Sequence, residues 1–135
     1  VNDPYFDTIK CAERLKKEYD THKKLIVAVD FDDTVFDFHN QGHNYLQVVT
    51  LLRRCQKLGF YIVMFTGSHP DKWLTQAEYL KNLGVKIICV NENPIPLPFG
   101  NNGKMYYNIL LDDRAGLYQA YTVLDIVVSQ IEEGL

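Results

Sequence analysis

Cysteine is scarce in this chain: Cys11, Cys55 and Cys89 are the three among 135 residues, an odd number with no CxxC spacing. Their spacing gives neither a disulfide framework nor a cysteine zinc site, and their apolar, periodic surroundings read as buried thiols in a reducing compartment. Long apolar runs are also missing. No stretch approaches the ~20 residues that a membrane span requires, and the first 30 residues hold no signal-peptide core, so a cytoplasmic protein without a membrane partner is expected. Nor is there an excess of positive charge, since 14 Lys and Arg against 17 Asp and Glu leave a net charge of −3. Without a global basic field, extended nucleic acid is disfavoured as a partner. The length suits one domain over 1–135, built on a single core.

What the chain does have is repetition of a simple kind. Four short apolar runs recur, LIVAV (Leu25 to Val29), FYIVMF (Phe60 to Phe65), KIICV (Lys86 to Val90) and YNILL (Tyr107 to Leu111). They lack polar alternation, as strands buried on both faces do, which points to a parallel sheet covered by helices. Helical periods lie between and around them. Asn44 to Leu58 ends at Gly59. A second period, with Leu74, Ala77, Leu80 and Leu83, starts at Pro70 and Asp71 and ends at Gly84. A third runs from Ala115 to Glu133. At the N-terminus Asp3 and Pro4 read as the cap and first turn of a helix over 4–19, with Phe6, Ile9, Ala12 and Leu15 facing inward. Alternating strands and helices of this kind predict a doubly wound, Rossmann-like α/β fold.

Two segments break the alternation, Asp32 to His43 and the proline-rich Asn91 to Lys104 with its GNNG turn. Loops of that length in a small domain are usually functional or mobile.

In a parallel sheet all strands open on one edge, where ligands bind. The residues closing the four runs are Asp30, then Thr66 with Gly67, then Asn91, then Asp112 and Asp113. Asp32 and Thr34 follow Asp30 with period two and share its face along an extended chain. Carboxylates gathered this way repel one another unless a divalent cation lies among them, and an all-oxygen shell suits Mg²⁺.

The stretch DFDDT at Asp30 to Thr34, the strand exit MFTG and the acid pair in ILLDDRAG resemble, in order, the first, second and fourth motifs of the haloacid dehalogenase-like phosphohydrolases. The resemblance covers Leu25 to Leu117. It implies a Mg²⁺-dependent phosphatase acting through a phosphoaspartate, with Asp30 as nucleophile and Asp32 as general acid and base; the short spans from Asp30 to Thr66 and from Thr66 to Asp112 depart from the family in leaving no room for a cap domain. It further implies Mg²⁺ held by the Asp30 carboxylate, the Asp32 carbonyl and the Asp112/Asp113 pair, with Asp113 favoured as the direct ligand and Asp112 in support. Thr66 and Gly67 would grip the phosphoryl group. For the motif lysine, Lys104 ranks first, with Lys72 and then Lys86 as alternatives. Thr34 and Arg114 are supporting residues. The implied partner is a small phosphorylated substrate, with a nucleotide as leading class and a polynucleotide end second. A receiver-like signalling module is the competing reading from another class. Three further groups read as structural: His39 and His43 as loop residues, Trp73, Tyr106 and Tyr107 as packing, and Lys16, Lys17, Lys23, Lys24, Arg53 and Arg54 as solvated faces.

Overall fold

The computed structural model describes residues 3–96 and 104–135; the expected GNNG turn lies outside them. Strands β1 (Ile26–Val29), β2 (Tyr61–Met64), β3 (Cys89–Val90) and β4 (Ile109–Leu111) form one all-parallel sheet in the order β3-β2-β1-β4. Helices α1 (Thr8–His22), α2 (Leu46–Lys57), α3 (Trp73–Asn82) and α4 (Leu117–Glu132) flank it, with no extra domain among the described residues. The α/β architecture is therefore the one the alternating pattern predicts. All four residues of β1 are buried, because this central strand has neighbours on both edges and cover on both faces. No described helix is long and apolar enough to cross a membrane.

Helix ends follow their chemistry. Gly59 and Gly84, at φ +82° and +88°, take the left-handed turn that releases α2 and α3 into the chain leading to the next strand. At the N-terminus the structure corrects the expected helix over 4–19. Asp3 caps only a single 3-10 turn, Pro4–Phe6, and α1 starts afresh at Thr8 under the Asp7 cap, where Asp7 Oδ1 accepts the Lys10 amide, and runs on to His22. The interruption changes the helical phase. Ala12 and Leu15 are buried as expected, whereas Phe6 and Ile9 are exposed.

A similar phase change affects α3. Pro70–Lys72 form a 3-10 turn, so the α-helical period begins at Trp73; Leu74 points outward, while Gln76 and Leu80 are buried. Strand β3 is shorter than KIICV predicts, with only Cys89 and Val90 paired to β2. Of the cysteines only Cys55 is fully buried; Cys11 and Cys89 are half-buried.

Arg54 is no solvated residue. Its guanidinium joins α2 to α4 through Asp125 at 2.7 Å, Glu132 at 2.8 Å and the Ser129 hydroxyl at 3.0 Å. Helix α4 in turn packs along α1 and against β4, so the helices around β1 and β4 brace one another. Arg53 likewise donates to the Leu83 carbonyl at the end of α3.

Candidate functional site

The strand order creates a topological switch. From β1 the chain steps outward to β2 and β3, then returns to β4 on the far side of β1, so the crevice between the carboxyl ends of β1 and β4 is where such folds receive ligands. Asp30 leaves β1 there and donates its amide to Leu111, while Asp112 and Asp113 leave β4 beside it. Carboxylate oxygens of Asp30, Asp112 and Asp113 lie within 4.8 Å of one another. Residues some eighty positions apart in the chain thus meet as a cluster of negative charge.

Thr34 ties two members of the cluster, Asp30 and Asp113, together. Its side chain is fully buried; Oγ1 lies 3.2 Å from Asp30 Oδ2 and 3.3 Å from Asp113 Oδ1, and it accepts the Asp113 amide at 3.0 Å. One hydroxyl proton serves two carboxylates in turn, while the Oγ1 lone pair fixes the backbone of the second acid. The turn that carries Thr34 inward is set by Asp33, at φ +60°, and by amides from Thr34 to Phe36 that return to the Phe31 carbonyl. Phe31 and Val35 are buried, and Phe31 and Phe36 stack at 5.2 Å with Tyr79 edge-on to both. The start of the Asp32 to His43 excursion is therefore anchored in the core. Farther along it, Asp37 accepts the amides of Gln41 and Gly42.

The electrostatics record the crowding. Burial, reinforced by Asp112 and Asp113 and opposed by Thr34, pushes the Asp30 carboxyl up to about 7. Asp32 stands outside the three-residue cluster. Its carboxyl is also raised, first by burial and then by Asp33, against the lowering influence of Lys72 and His39. The neighbouring Asp33 is occupied by His39 Nδ1 and, at 3.5 Å, by the Tyr45 hydroxyl. His39 thus has a carboxylate partner. Asp112 Oδ1 accepts the Arg114 amide at 2.9 Å, a bond that fixes the turn leaving β4. The Arg114 side chain is exposed and forms no ion pair among the described residues.

On the other side of β1 the lip is built differently. Asn91, in the left-handed region at φ +53°, clamps Thr66 through both halves of its amide: Oδ1 accepts the Thr66 amide at 2.9 Å and Nδ2 donates to the Thr66 carbonyl at 2.8 Å. Thr66 Oγ1 accepts the Ser68 amide at 3.1 Å, and Ser68 is held by Trp73 through its carbonyl and by the buried Gln76 through its hydroxyl. A Cβ added at Gly67 would meet no heavy atom within 4 Å, so the backbone there faces open space.

Lys104 lines a cavity of about 370 Å³ with Phe65, Asn91, Met105 and Tyr107, beside the Thr66 clamp. Lys72 interacts electrostatically with Asp32. Lys86 sits before β3, where its amide donates to Gln56 on α2, on the side of the sheet away from the lip. The Asn91 clamp and the Gln76 anchor carried no motif in the sequence; the placement of Asn91 at the end of the third apolar run was their one visible trace.

Sulfur, nitrogen and oxygen donors are not mixed in this cluster. It offers carboxylates alone, the hard oxygen set that Mg²⁺ and similar cations favour, and the Asp30 carboxyl is raised by burial first and by its acidic neighbours second, both of which such a cation would offset. No protein-family model matches the chain, and no curated protein matches it. A solved structure described as that of the conserved protein coded by locus from Bacteroides thetaiotaomicron is similar to it, with a TM-score of 0.60 and 19% identity, over 83% of this chain and 93% of that one. At that identity the likeness speaks for a shared α/β fold.

Proposed function

We propose that the protein is a Mg²⁺-dependent phosphomonoester hydrolase of the haloacid dehalogenase-like type, acting through a phosphoaspartyl intermediate. The observation that carries this reading is the meeting of Asp30, Asp112 and Asp113 at the switch point, with Asp30 and Asp113 tied through Thr34, in the strand order that the DFDDT and LLDDR motifs require. Mg²⁺ would be held by the Asp30 carboxylate, the Asp32 carbonyl and Asp113, with Asp112 in support. Bound there it would offset the gathered negative charge and keep Asp30 in its ionised form.

The chain's own residues supply the steps. An Asp30 oxygen bonds to phosphorus as the ester P–O bond breaks, and Asp32 gives its proton to the departing oxygen. Water then attacks phosphorus, Asp32 takes the proton back, and the bond to Asp30 breaks to release phosphate. A raised Asp32 carboxyl suits both halves of that exchange, since it must carry a proton near neutral pH and part with it again. The amide of Gly67 and the Thr66 side chain are the proposed grip on the phosphoryl oxygens, with Lys104 as the proposed cation and Lys72 as its rival. Small phosphate esters, nucleotides among them, are the leading substrates, and the phosphorylated end of a polynucleotide is second.

The test is release of phosphate from a panel of phosphorylated metabolites and end-phosphorylated oligonucleotides, with Mg²⁺ or EDTA, beside Asp30→Asn. Mg²⁺-dependent release by the wild type alone is expected. Equal inertness of wild type and variant on every compound would remove the reading, and a long-lived phosphoprotein in acetyl phosphate with negligible release would replace it with the receiver-like one.

A further inference from the structure

The cavity beside Thr66 is used by none of the phosphoryl chemistry except at its Lys104 wall. Its place follows from the sheet. Pairing of Val29 with Met64 and of Met64 with Val90 continues one residue beyond the strands, through the Phe65 amide to Val29 and the Asn91 amide to Met64. Asn91, Phe65 and Asp30 therefore follow one another across the lip on β3, β2 and β1. With strands ~4.8 Å apart, Phe65 lies about one strand spacing from Asp30 and Asn91 about two. The cavity that Phe65 and Asn91 line thus begins about one strand spacing from Asp30, within reach of the organic part of an ester whose phosphoryl group is seated there.

Its walls define the chemistry it accepts. Phe65, Met105 and Tyr107 are two aromatic rings and a polarisable thioether, surfaces that receive a flat ring by stacking and sulfur contact. Asn91 spends one donor and one acceptor on Thr66 and keeps one of each, so a ring heteroatom would find a partner there, while the Lys104 wall is left to the phosphoryl group. At about 370 Å³ the space falls in the ~300–1,000 Å³ range of pockets that enclose small organic ligands, and exceeds what a two- or three-carbon alcohol would fill. Phe65 is 38% exposed, an aromatic face left open at the edge of the site.

We propose that this cavity is the leaving-group subsite and that it selects phosphate monoesters carrying a planar aromatic ring, the class of nucleoside monophosphates and aryl phosphates, over phosphates of small aliphatic alcohols. The selectivity rests on the phosphatase reading above; the binding of the ring does not.

Two measurements test it. The first compares hydrolysis of a nucleoside monophosphate and phenyl phosphate with that of glycerol phosphate and ethyl phosphate, in wild type, Tyr107→Ala, Tyr107→Phe and Met105→Ala. The ring esters should be preferred, and Tyr107→Ala should raise their KM about tenfold. Tyr107→Phe should behave as wild type, and the aliphatic esters should be unaffected throughout. Equal use of both ester classes, or the same loss on both in Tyr107→Ala, overturns the proposal. The second follows binding of an unphosphorylated nucleoside to Asp30→Asn protein by ligand-observed NMR, which needs no turnover. Binding that weakens on adding Tyr107→Ala upholds the subsite even where no ester is hydrolysed, in which case the phosphatase reading alone falls. No binding by protein that hydrolyses both ester classes alike, or by protein that hydrolyses nothing, overturns the subsite.

Discussion

The two halves of the lip are held by opposite means. Between β1 and β4 the acids are fixed by one buried hydroxyl, Thr34, that sits four residues from Asp30 in the chain and reaches Asp113 across the fold. Between β2 and β3 the Thr66 loop is fixed by side chains from elsewhere, Asn91 from the next strand and Gln76 from the following helix through Ser68. The inner half concentrates charge and needs rigidity, because like charges move apart unless something holds them. The outer half presents backbone and an open cavity, and needs shape. Each half should therefore fail in its own way when its holding residue is removed.

The largest effect should come from the inner half. Asp30→Asn removes the proposed nucleophile, and phosphate release should fall on the order of 10⁴-fold or more. Folding should not suffer with it. Asp30 carries a charge that its surroundings disfavour, so the variant's melting temperature without Mg²⁺ at pH 8 should equal or exceed that of the wild type. A variant that melts lower and stays active would reverse the assignment on both counts.

Thr34→Val comes next and reads differently. The substitution keeps the shape of a fully buried side chain but leaves the Asp113 amide without its acceptor and both carboxylates without a donor. A buried unsatisfied group of this kind costs about 1–3 kcal/mol, seen as a lower urea midpoint with an unchanged slope. Thr34→Ser keeps the hydroxyl and should restore most of the loss. If valine and serine behave alike, the hydroxyl is not what holds the inner half.

The same contrast explains what could be read from the sequence. The acids of the inner half announce themselves because DFDDT is local, and because ILLDD ends an apolar run just as LIVAVD does. Strand ends in a parallel sheet share an edge, so local spacing was enough to bring Asp30 to Asp113. Thr34 read as a supporting residue on the Asp30 face, but nothing in its neighbourhood reveals a bond to a residue 79 positions away. The outer half had no such local code. Asn91 is one asparagine after a strand, Gln76 one glutamine in a helix, and their roles exist only once β3 and α3 are placed. Helix faces went astray for a related reason. A 3-10 turn before α1 and another before α3 shifted the phase, and Phe6, Ile9 and Leu74 came out exposed. Arg54 illustrates the same limit, a charge in a helical period whose three partners lie on α4.

Asn91→Gly should expose how the outer half works, with a smaller effect. Glycine takes the left-handed conformation at φ +53° without strain, so the substitution removes the two bonds to Thr66 while the backbone is relieved. Stability should change by about 1 kcal/mol or less. The phosphate grip should loosen instead, with KM for aliphatic esters raised a few-fold and that for ring esters raised further, because the ring also loses the Asn91 amide, and the Mg²⁺ dependence unchanged. A shift in Mg²⁺ affinity of the same size would mean that the two halves are not separately held.

The last expected effect is a pH slope, and it belongs to the inner half alone. Asp30 titrates near its ordinary 3.8 in the unfolded chain and at about 7 in the metal-free fold, where burial and the neighbouring acids favour the protonated carboxyl. Below the lower value both states hold the proton and the fold loses nothing. Between the two values the fold keeps a proton that the unfolded chain has released, so metal-free stability falls as pH rises through that window, and it levels off above it. A cation among the acids favours the ionised carboxyl and should flatten the decline. The melting temperature with Mg²⁺ should thus exceed that with EDTA by a few degrees more at pH 7.5 than at pH 5. Asp30→Asn has no such proton to lose, so its metal-free melting curve should drop less over the same range, and a drop as steep as the wild type's would place the titrating group elsewhere.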